Sequence, residues 1–167
     1  MMKKHIFPIV ISVLVIILAV VSFYVLWVHV PYYNYHHQLD EIRNEICETN
    51  HYEYMDYFNE HRGKEKYYVL KVKIDNILSY VAYDKDLKLV DTYQGDVVDE
   101  KIVQDAILKK YKDDVTKEDV ESLDVGYENN KFVYYVKVQR EDYLLYLYYD
   151  IVNGEFVKTY HISANES

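Results

Sequence analysis

The stretch Tyr68–Tyr93, YVLKVKIDNILSYVAYDKDLKLVDTY, recurs 66 positions further on as Tyr134–Tyr160, YYVKVQREDYLLYLYYDIVNGEFVKTY. The two copies align when the second is allowed one extra residue after Asp150. Identical residues at the aligned positions include tyrosine, leucine, valine, lysine and threonine. The copies share no histidine, cysteine, serine or glutamate, the residue types that often carry catalysis. Because the period exceeds that of most solenoid repeats, we interpret each copy as a small domain with its own hydrophobic core.

Apolar and polar residues alternate inside both copies, which is typical of half-buried β-strands. The first copy predicts strands at Tyr68–Ile74, Ile77–Tyr83 and Leu87–Gln94. Further candidates are the counterparts of these strands in the second copy, ending with Glu155–His161, and two short runs that would open the two sheets, Tyr54–Phe58 and Leu123–Tyr127.

Two short loops decide which residues lie opposite one another. Asp75 and Asn76 both tolerate positive φ and indicate a two-residue hairpin, and Glu141-Asp142 occupies the equivalent place in the second copy. Opposite residues on antiparallel strands share a face, whereas a longer loop would exchange the faces. The face expected to meet a helix carries Tyr68, Leu70, Val72, Val81 and Tyr83 in the first copy and Tyr134, Val136, Val138, Leu145, Leu147 and Tyr149 in the second.

The other face holds the candidate binding residues. Lys71 is opposite Tyr80 in the first copy, and Lys137 is opposite Tyr146 in the second. The second sheet is unusually aromatic on this face, so it either packs against the first copy or forms a docking surface for another protein or an extended peptide. The candidate partner-binding residues are Lys71, Tyr80, Tyr135, Lys137, Leu144, Tyr146 and Tyr148.

The N-terminal region contains an uninterrupted uncharged stretch of 23 residues, Ile6–Val28. A helix of that length reaches roughly 35 Å, enough to cross a hydrocarbon core of about 30 Å. We therefore predict a transmembrane helix at residues 6–28. A cleaved signal peptide is the alternative, because Lys3 and Lys4 precede an apolar run in both cases. The run is longer than a usual signal-peptide core, however, and no pair of small residues marks a cleavage site.

The charge distribution predicts the orientation and narrows the partners. Lys3 and Lys4 favour a cytoplasmic segment at residues 1–5, with the rest of the chain outside the cell membrane. The whole chain has a formal net charge of −9, which becomes −11 without those lysines. Such acidity disfavours nucleic acid and anionic lipid headgroups as partners. The simplest interpretation of this acidity is that it keeps the protein soluble. The alternative is that it binds a basic surface on a partner protein.

Two helices are predicted outside the membrane. The first should begin after a break at Pro31 and end near Thr49-Asn50, with an apolar stripe that packs on a sheet; a coiled-coil dimer is the alternative, although fewer than three heptads are present. The second should run over Glu100–Tyr111 with Asp99 as its N-cap. The stripe of the first helix is Tyr35, Leu39, Ile42 and Ile46, and the apolar face of the second is Ile102, Val103, Ala106, Ile107 and Tyr111.

The fold class predicted from these elements is α+β. A membrane helix precedes two tandem modules, residues 33–95 and 96–167, each with one helix on a sheet of three or four antiparallel strands. No pattern predicts a catalytic residue, a cofactor, a metal site or a small-molecule substrate. His36 and Asp40 have a common helical spacing without a second ligand pair, and the lone Cys47 lacks an adjacent base.

The chain resembles the TseB-like membrane proteins of low-GC Gram-positive bacteria, which carry tandem PepSY-like domains. The resemblance covers the short basic N-terminus, the single span, the polar helix and both copies. Gly63–Val69, GKEKYYV, opens the first sheet in the manner of that family. Tyr149–Glu155, YDIVNGE, looks like the turn that closes a PepSY repeat.

This resemblance implies two modules of PepSY or cystatin-like fold and a function without catalysis. It implies an extracytoplasmic regulator of cell-wall elongation that contacts a peptidoglycan transpeptidase of the penicillin-binding class. The relationship to other PepSY modules supplies the alternative of an inhibitor or chaperone of a secreted peptidase. A structural or sensor subunit of an envelope complex is a third interpretation.

Overall fold

The computed structural model describes residues 3–120 and 122–163, and this part of the chain is α+β, as predicted. Its α-helices are α1 (Lys3–Tyr24), α2 (Val30–Asn50) and α3 (Glu100–Lys110). The first antiparallel sheet has β1 (Glu53–Arg62), β2 (Lys66–Ile74), β3 (Ile77–Asp84) and β4 (Leu89–Gln94) in that order. The second has β5 (Asp124–Glu128), β6 (Lys131–Gln139), β7 (Tyr143–Asp150) and β8 (Phe156–Ser163) in that order. The first two residues of the predicted cytoplasmic segment, and residues 121 and 164–167 of the predicted second module, lie outside the described residues.

The N-terminal helices are continuous, so the predicted break at Pro31 is wrong. A π-helical turn at Val25–His29 joins α1 to α2, and the N–H of Val30 donates to the carbonyl of Val25. Proline lacks the N–H donor, and its ring crowds the carbonyl four residues before it. A wider π turn just ahead of the proline relieves that crowding and lets the helix continue.

One described helix is long and apolar enough to cross a membrane. The qualifying stretch is Ile11–Asn50, and its most apolar window has a mean hydropathy of 2.8. Large apolar side chains along its first half are exposed, for example Ile16 and Leu26. This length and composition are consistent with the transmembrane helix predicted at residues 6–28.

The hairpin turns and the strand register follow the sequence pattern closely. Asp75 and Asn76 both have positive φ, 52° and 64°, and form the two-residue turn between β2 and β3. The predicted cross-strand pairs are present in both sheets, with Lys71 opposite Tyr80 and Lys137 opposite Tyr146. A further two-residue turn, Asn129-Asn130, joins β5 to β6 and was not predicted.

The first strand of the first sheet is longer than predicted. The sequence indicated Tyr54–Phe58, whereas β1 extends to Arg62. Its register on β2 shifts between Tyr54 and Tyr57, where Asp56 has a φ of +50°. This irregularity breaks the alternation of apolar and polar residues, so the strand is hard to recognise from its sequence.

Helix α3 begins as predicted, but its buried face is narrower. The Asp99 side chain accepts a hydrogen bond from the N–H of Lys101, which is the expected N-cap. Val103 and Ile107 are fully buried, whereas Ile102 is 59% exposed and does not belong to the apolar face. Successive residues of an α-helix are rotated by about 100° about the helix axis. When the buried stripe is centred on positions 103 and 107, position 102 therefore faces solvent.

The chain forms two compact units, one ending at Glu45 and the other beginning at Ile46. Inside the second unit, residues of both sheets belong to one hydrophobic core, which differs from the expectation of a separate core in each copy. Val69, Tyr80 and Ala82 of the first sheet join α3 and the predicted helix face of the second sheet in this core. A sheet of about 40 residues buries too little apolar surface to be stable alone, so sharing a core is favourable.

The opposite face of the first sheet is also buried. Leu70, Val72 and Val81 have no exposed surface, and Ile46 near the end of α2 is only 2% exposed. The Tyr83 hydroxyl on this face donates a hydrogen bond to the Tyr52 hydroxyl. Both faces of the first sheet are therefore covered at its centre.

Candidate functional site

The two sheets meet where β1 crosses β5. The Tyr57 hydroxyl and the Asn59 side-chain amide both donate to the carbonyl of Val125, at 3.1 and 2.9 Å, and the N–H of Val125 donates to the Tyr57 oxygen. Side chains of the first sheet thus satisfy backbone groups on the edge strand of the second. Burial raises the pKa of the Tyr57 hydroxyl above its ordinary value, so it remains a neutral donor.

A buried charged cluster joins the sheets beside this crossing. It consists of His61 on β1, Glu128 on β5 and Lys158 on β8. The carboxylate of Glu128 lies 3.4 Å from Nε2 of His61 and 2.7 Å from Nζ of Lys158. The His61 and Glu128 residues are only 1% and 3% exposed. Removing ions from water is costly unless each finds a partner, and here the carboxylate contacts both neighbours.

Two glycines leave the space that this cluster occupies. A Cβ atom at Gly126 would lie 2.6 Å from Nδ1 of His61, and one at Gly63 would lie 1.9 Å from Oε2 of Glu128. Neither glycine has a positive φ, so the requirement is close packing and not backbone conformation. Two of the four glycines in the chain therefore serve this cluster.

The pKa values of the cluster follow from burial and charge pairing. Burial lowers the pKa of His61 below its ordinary 6.5, and the hydrogen bond with Glu128 opposes this only in part. Burial acts to raise the pKa of Glu128, but Lys158 and His61 outweigh it and hold that pKa below 4.5. At neutral pH the cluster thus contains an ionised Glu128 and a neutral His61.

Acidification from pH 7.5 to 5 is expected to lower the free energy of unfolding through His61. The unfolded state takes up a proton near pH 6.5, whereas buried His61 resists protonation until a lower pH, so the unfolded state binds more protons within this range. The stability lost as the pH falls should be smaller in His61→Gln. The measurement is urea unfolding of the full chain in neutral detergent micelles, followed by tyrosine near-ultraviolet circular dichroism at each pH.

The control for this prediction is His161→Gln, because His161 is exposed on β8. That variant removes a histidine outside the buried cluster and so measures the general effect of replacing a histidine with glutamine. Equal pH dependence in the parent and in His61→Gln would show that another group titrates, and it would contradict the assignment to His61.

Aromatic rings extend the cluster toward the surface of the second sheet. His61 lies 4.9 Å from the ring of Tyr135 and 5.9 Å from that of Tyr148, centroid to centroid. Nζ of Lys158 lies 4.7 Å from the Tyr148 ring and 4.4 Å from the Tyr160 ring. Tilted and edge-to-face ring contacts, together with cation–π contacts, thus hold these tyrosines in defined positions.

An open groove of about 380 Å³ lies on this face, which we call the tyrosine groove. One side is the end of β1 and the loop after it, with Arg62 and Lys64, and the rest is formed by β7 and β8. Among the described residues that line it, none carries a carboxylate. The lining residues are Arg62, Gly63, Lys64, Tyr146, Tyr148, Tyr160, His161 and Ile162.

The structure separates the seven predicted site residues into two groups. Lys71 and Tyr80 lie on the first sheet, where Tyr80 is only 7% exposed in the shared core and Nζ of Lys71 is 5.9 Å from its ring. The other five share one face of the second sheet: Tyr135, Lys137, Leu144, Tyr146 and Tyr148.

Some of these five residues pack against the first sheet, and the others face solvent. Tyr135 accepts a hydrogen bond from Asn59, and the Tyr148 ring, only 2% exposed, contacts His61, so both meet β1 of the first sheet. Tyr146 is half-buried in the tyrosine groove, Leu144 is half-buried in a neighbouring recess, and Lys137 is exposed. One part of the aromatic face is therefore packed against the first copy, and the rest faces solvent within this unit.

Sequence reasoning missed several residues that build the groove. Tyr160 pairs with Tyr146 and Ile162 with Leu144 across β7 and β8, so extending the face assignment to the last strand would have found them. The signal for the charged cluster was weaker. Gly63 and Gly126, in a chain with few glycines, lie within two residues of His61 and Glu128.

No family model, curated protein or solved structure matches this chain. The tyrosine groove and the cluster beneath it are therefore interpreted from their own chemistry. Among residues 3–120 and 122–163, no three side chains of the His, Cys, Asp or Glu types are grouped so as to hold a metal ion. The arrangement offers aromatic surface, hydroxyl groups and cations, which are the means of binding a partner.

Proposed function

We propose that this protein is a non-catalytic regulator that docks on another envelope protein through the tyrosine groove. The groove is the observation that carries the proposal. It combines exposed aromatic and aliphatic surface, Tyr160 at 43% and Ile162 at 52% exposure, with the cations Arg62 and Lys64. Tyrosine and arginine are enriched in protein interfaces because they offer large contact areas together with hydrogen bonds.

The apolar N-terminal helix supports a membrane-anchored form of this function. In the proposal, residues 1–5 are cytoplasmic and the sheets are extracytoplasmic, in keeping with Lys3 and Lys4 before the span. An anchor confines the docking surface to the membrane and raises its effective concentration toward membrane-bound partners. The sequence resemblance to TseB-like proteins with tandem PepSY-like modules suggests the partner, a penicillin-binding transpeptidase active in cell-wall elongation.

Site-specific photo-crosslinking in intact cells tests this function. We expect a crosslinker at position 146 or 160 to capture a penicillin-binding transpeptidase, because these side chains line the groove. A crosslinker at position 80 should capture nothing outside the chain, since Tyr80 is buried. Val90, 42% exposed on β4 of the other sheet, is the surface control.

The identity and position of the captured protein decide the outcome. Capture of a secreted peptidase from positions 146 and 160 would replace the proposed partner and favour the inhibitor interpretation. Equal capture from positions 90 and 160 would show that the groove is not the docking surface. Absence of any transpeptidase among the captured proteins would contradict the proposed regulation of cell-wall elongation.

A further inference from the structure

The chemistry of the tyrosine groove indicates what kind of segment it accepts. Two cations, Arg62 and Lys64, form one wall, and the rings of Tyr146, Tyr148 and Tyr160 face the same space. Guanidinium and ammonium groups bind carboxylates, while tyrosine rings offer flat apolar surface to neighbouring side chains. A ligand that satisfies both must carry acidic and apolar groups close together.

The local charge of the groove is positive although the chain is acidic. The Glu60 carboxylate is shared by Arg62, at 3.1 Å, and Lys66. Glu128 lies behind the tyrosines and is paired with Lys158. Because Arg62 and Lys66 share the single carboxylate of Glu60, this group keeps one net positive charge beside the groove.

The strand geometry of the groove suits an extended segment. Tyr146 is paired with Tyr160, and the next accessible pair on the same face is Leu144 with Ile162, whose side chain is 52% exposed. Successive pairs on one face of a sheet are spaced by two residues, or about 7 Å. Alternate side chains of an extended peptide have the same spacing, so they can contact successive pairs.

We propose that the tyrosine groove binds an extended acidic segment of the partner protein, with its carboxylates at Arg62 and Lys64 and its apolar side chains on the tyrosines. This inference rests on the proposed docking function and specifies the chemistry of the docked segment. An anionic lipid surface fits less well, because electrostatic recognition of membranes uses clusters of about four to eight basic residues. The groove has two at its rim, in a chain of net charge −9.

Fluorescence anisotropy with a defined peptide tests the inference. The probe is a fluorescein-labelled eight-residue peptide of alternating glutamate and valine, titrated with the full chain in neutral detergent micelles at low salt. We expect binding that weakens as salt is added and that is at least ten-fold weaker in the double variant Arg62→Gln/Lys64→Gln. The same peptide with glutamine in place of glutamate should bind at least ten-fold more weakly to the parent chain.

A matched control separates local recognition from net charge. Lys109→Gln/Lys112→Gln removes the same charge from exposed positions that do not line the groove, and it should bind the acidic peptide like the parent. Equal binding of the glutamate and glutamine peptides would overturn the inference. So would equal weakening in both double variants. An unchanged urea midpoint for Arg62→Gln/Lys64→Gln shows that the loss is not caused by unfolding.

Reconstitution in nanodiscs tests the lipid alternative. Peptide binding should be similar in discs of phosphatidylcholine and in discs that also contain phosphatidylglycerol. Loss of peptide binding in the anionic discs would assign the groove to lipid headgroups instead. If crosslinkers at positions 146 and 160 still capture a transpeptidase while the peptide fails to bind, docking stands and only the acidic character of the segment is wrong.

Discussion

Glu128→Gln is expected to lower the free energy of unfolding by about 3 kcal/mol, because it removes one partner from a buried set of charges. The substitution leaves Lys158, whose side chain is 16% exposed, beside a neutral amide, and His61 loses its carboxylate neighbour. The glutamine oxygen still accepts one hydrogen bond, which places the effect at the lower end of the range for broken buried pairs. Urea unfolding of the full chain in micelles at pH 7.5 measures it.

Glu141→Gln is the matched control for this prediction. Glu141 is exposed in the turn between β6 and β7, so the same chemical change there should shift the unfolding midpoint little. Combining Glu128→Gln with Lys158→Gln should cost less than the sum of the single variants, because the second substitution removes the charge that the first left unpaired. Additive losses would show that the pair does not interact as its geometry indicates.

Gly126→Ala is expected to lower the free energy of unfolding by about 2 to 3 kcal/mol through overpacking. The new methyl group would lie 2.6 to 2.9 Å from Nδ1, Cγ and Cε1 of His61. These are atoms of a rigid, fully buried ring that cannot move aside as the end of a flexible chain can. Thermal and urea unfolding of the full chain would both report the loss.

The clash predicted for Gly126→Ala should be relieved when the ring of His61 is removed. His61→Ala removes the ring, so adding Gly126→Ala to that variant should cost much less than in the parent chain. This comparison isolates the steric term from the loss of the histidine itself. If Gly126→Ala costs the same in both backgrounds, the glycine is required for a reason other than contact with His61.

Local patterns were sufficient for β2 and β3, their register and the start of α3. Period-two alternation identified β2 and β3, and the Asp75-Asn76 turn determined which of their residues face each other. Asp99 marked the start of α3 because an N-cap depends only on residues two or three positions away. The apolar stretch at residues 6–28 likewise needed only its length and composition.

Elements that depend on distant partners were predicted poorly. The end of β1 is polar, and two of its side chains contact residues more than 60 positions away: Asn59 contacts Val125, and His61 contacts Glu128. The continuity of the helix through Pro31 depends on a π turn that the sequence pattern does not mark. Ile102 is exposed because packing selected a narrower face of α3 than its apolar residues suggested.

The sequence by itself determined a duplicated α+β chain with an apolar N-terminal helix, two antiparallel sheets and an aromatic face on the second. These features arise from contacts between neighbours in the chain or across a two-residue turn. Tertiary structure alone decided that the sheets share one core and that His61, Glu128 and Lys158 meet beneath a tyrosine groove. Each of those three residues lies on a different strand, and no local pattern records a meeting of residues so far apart in sequence.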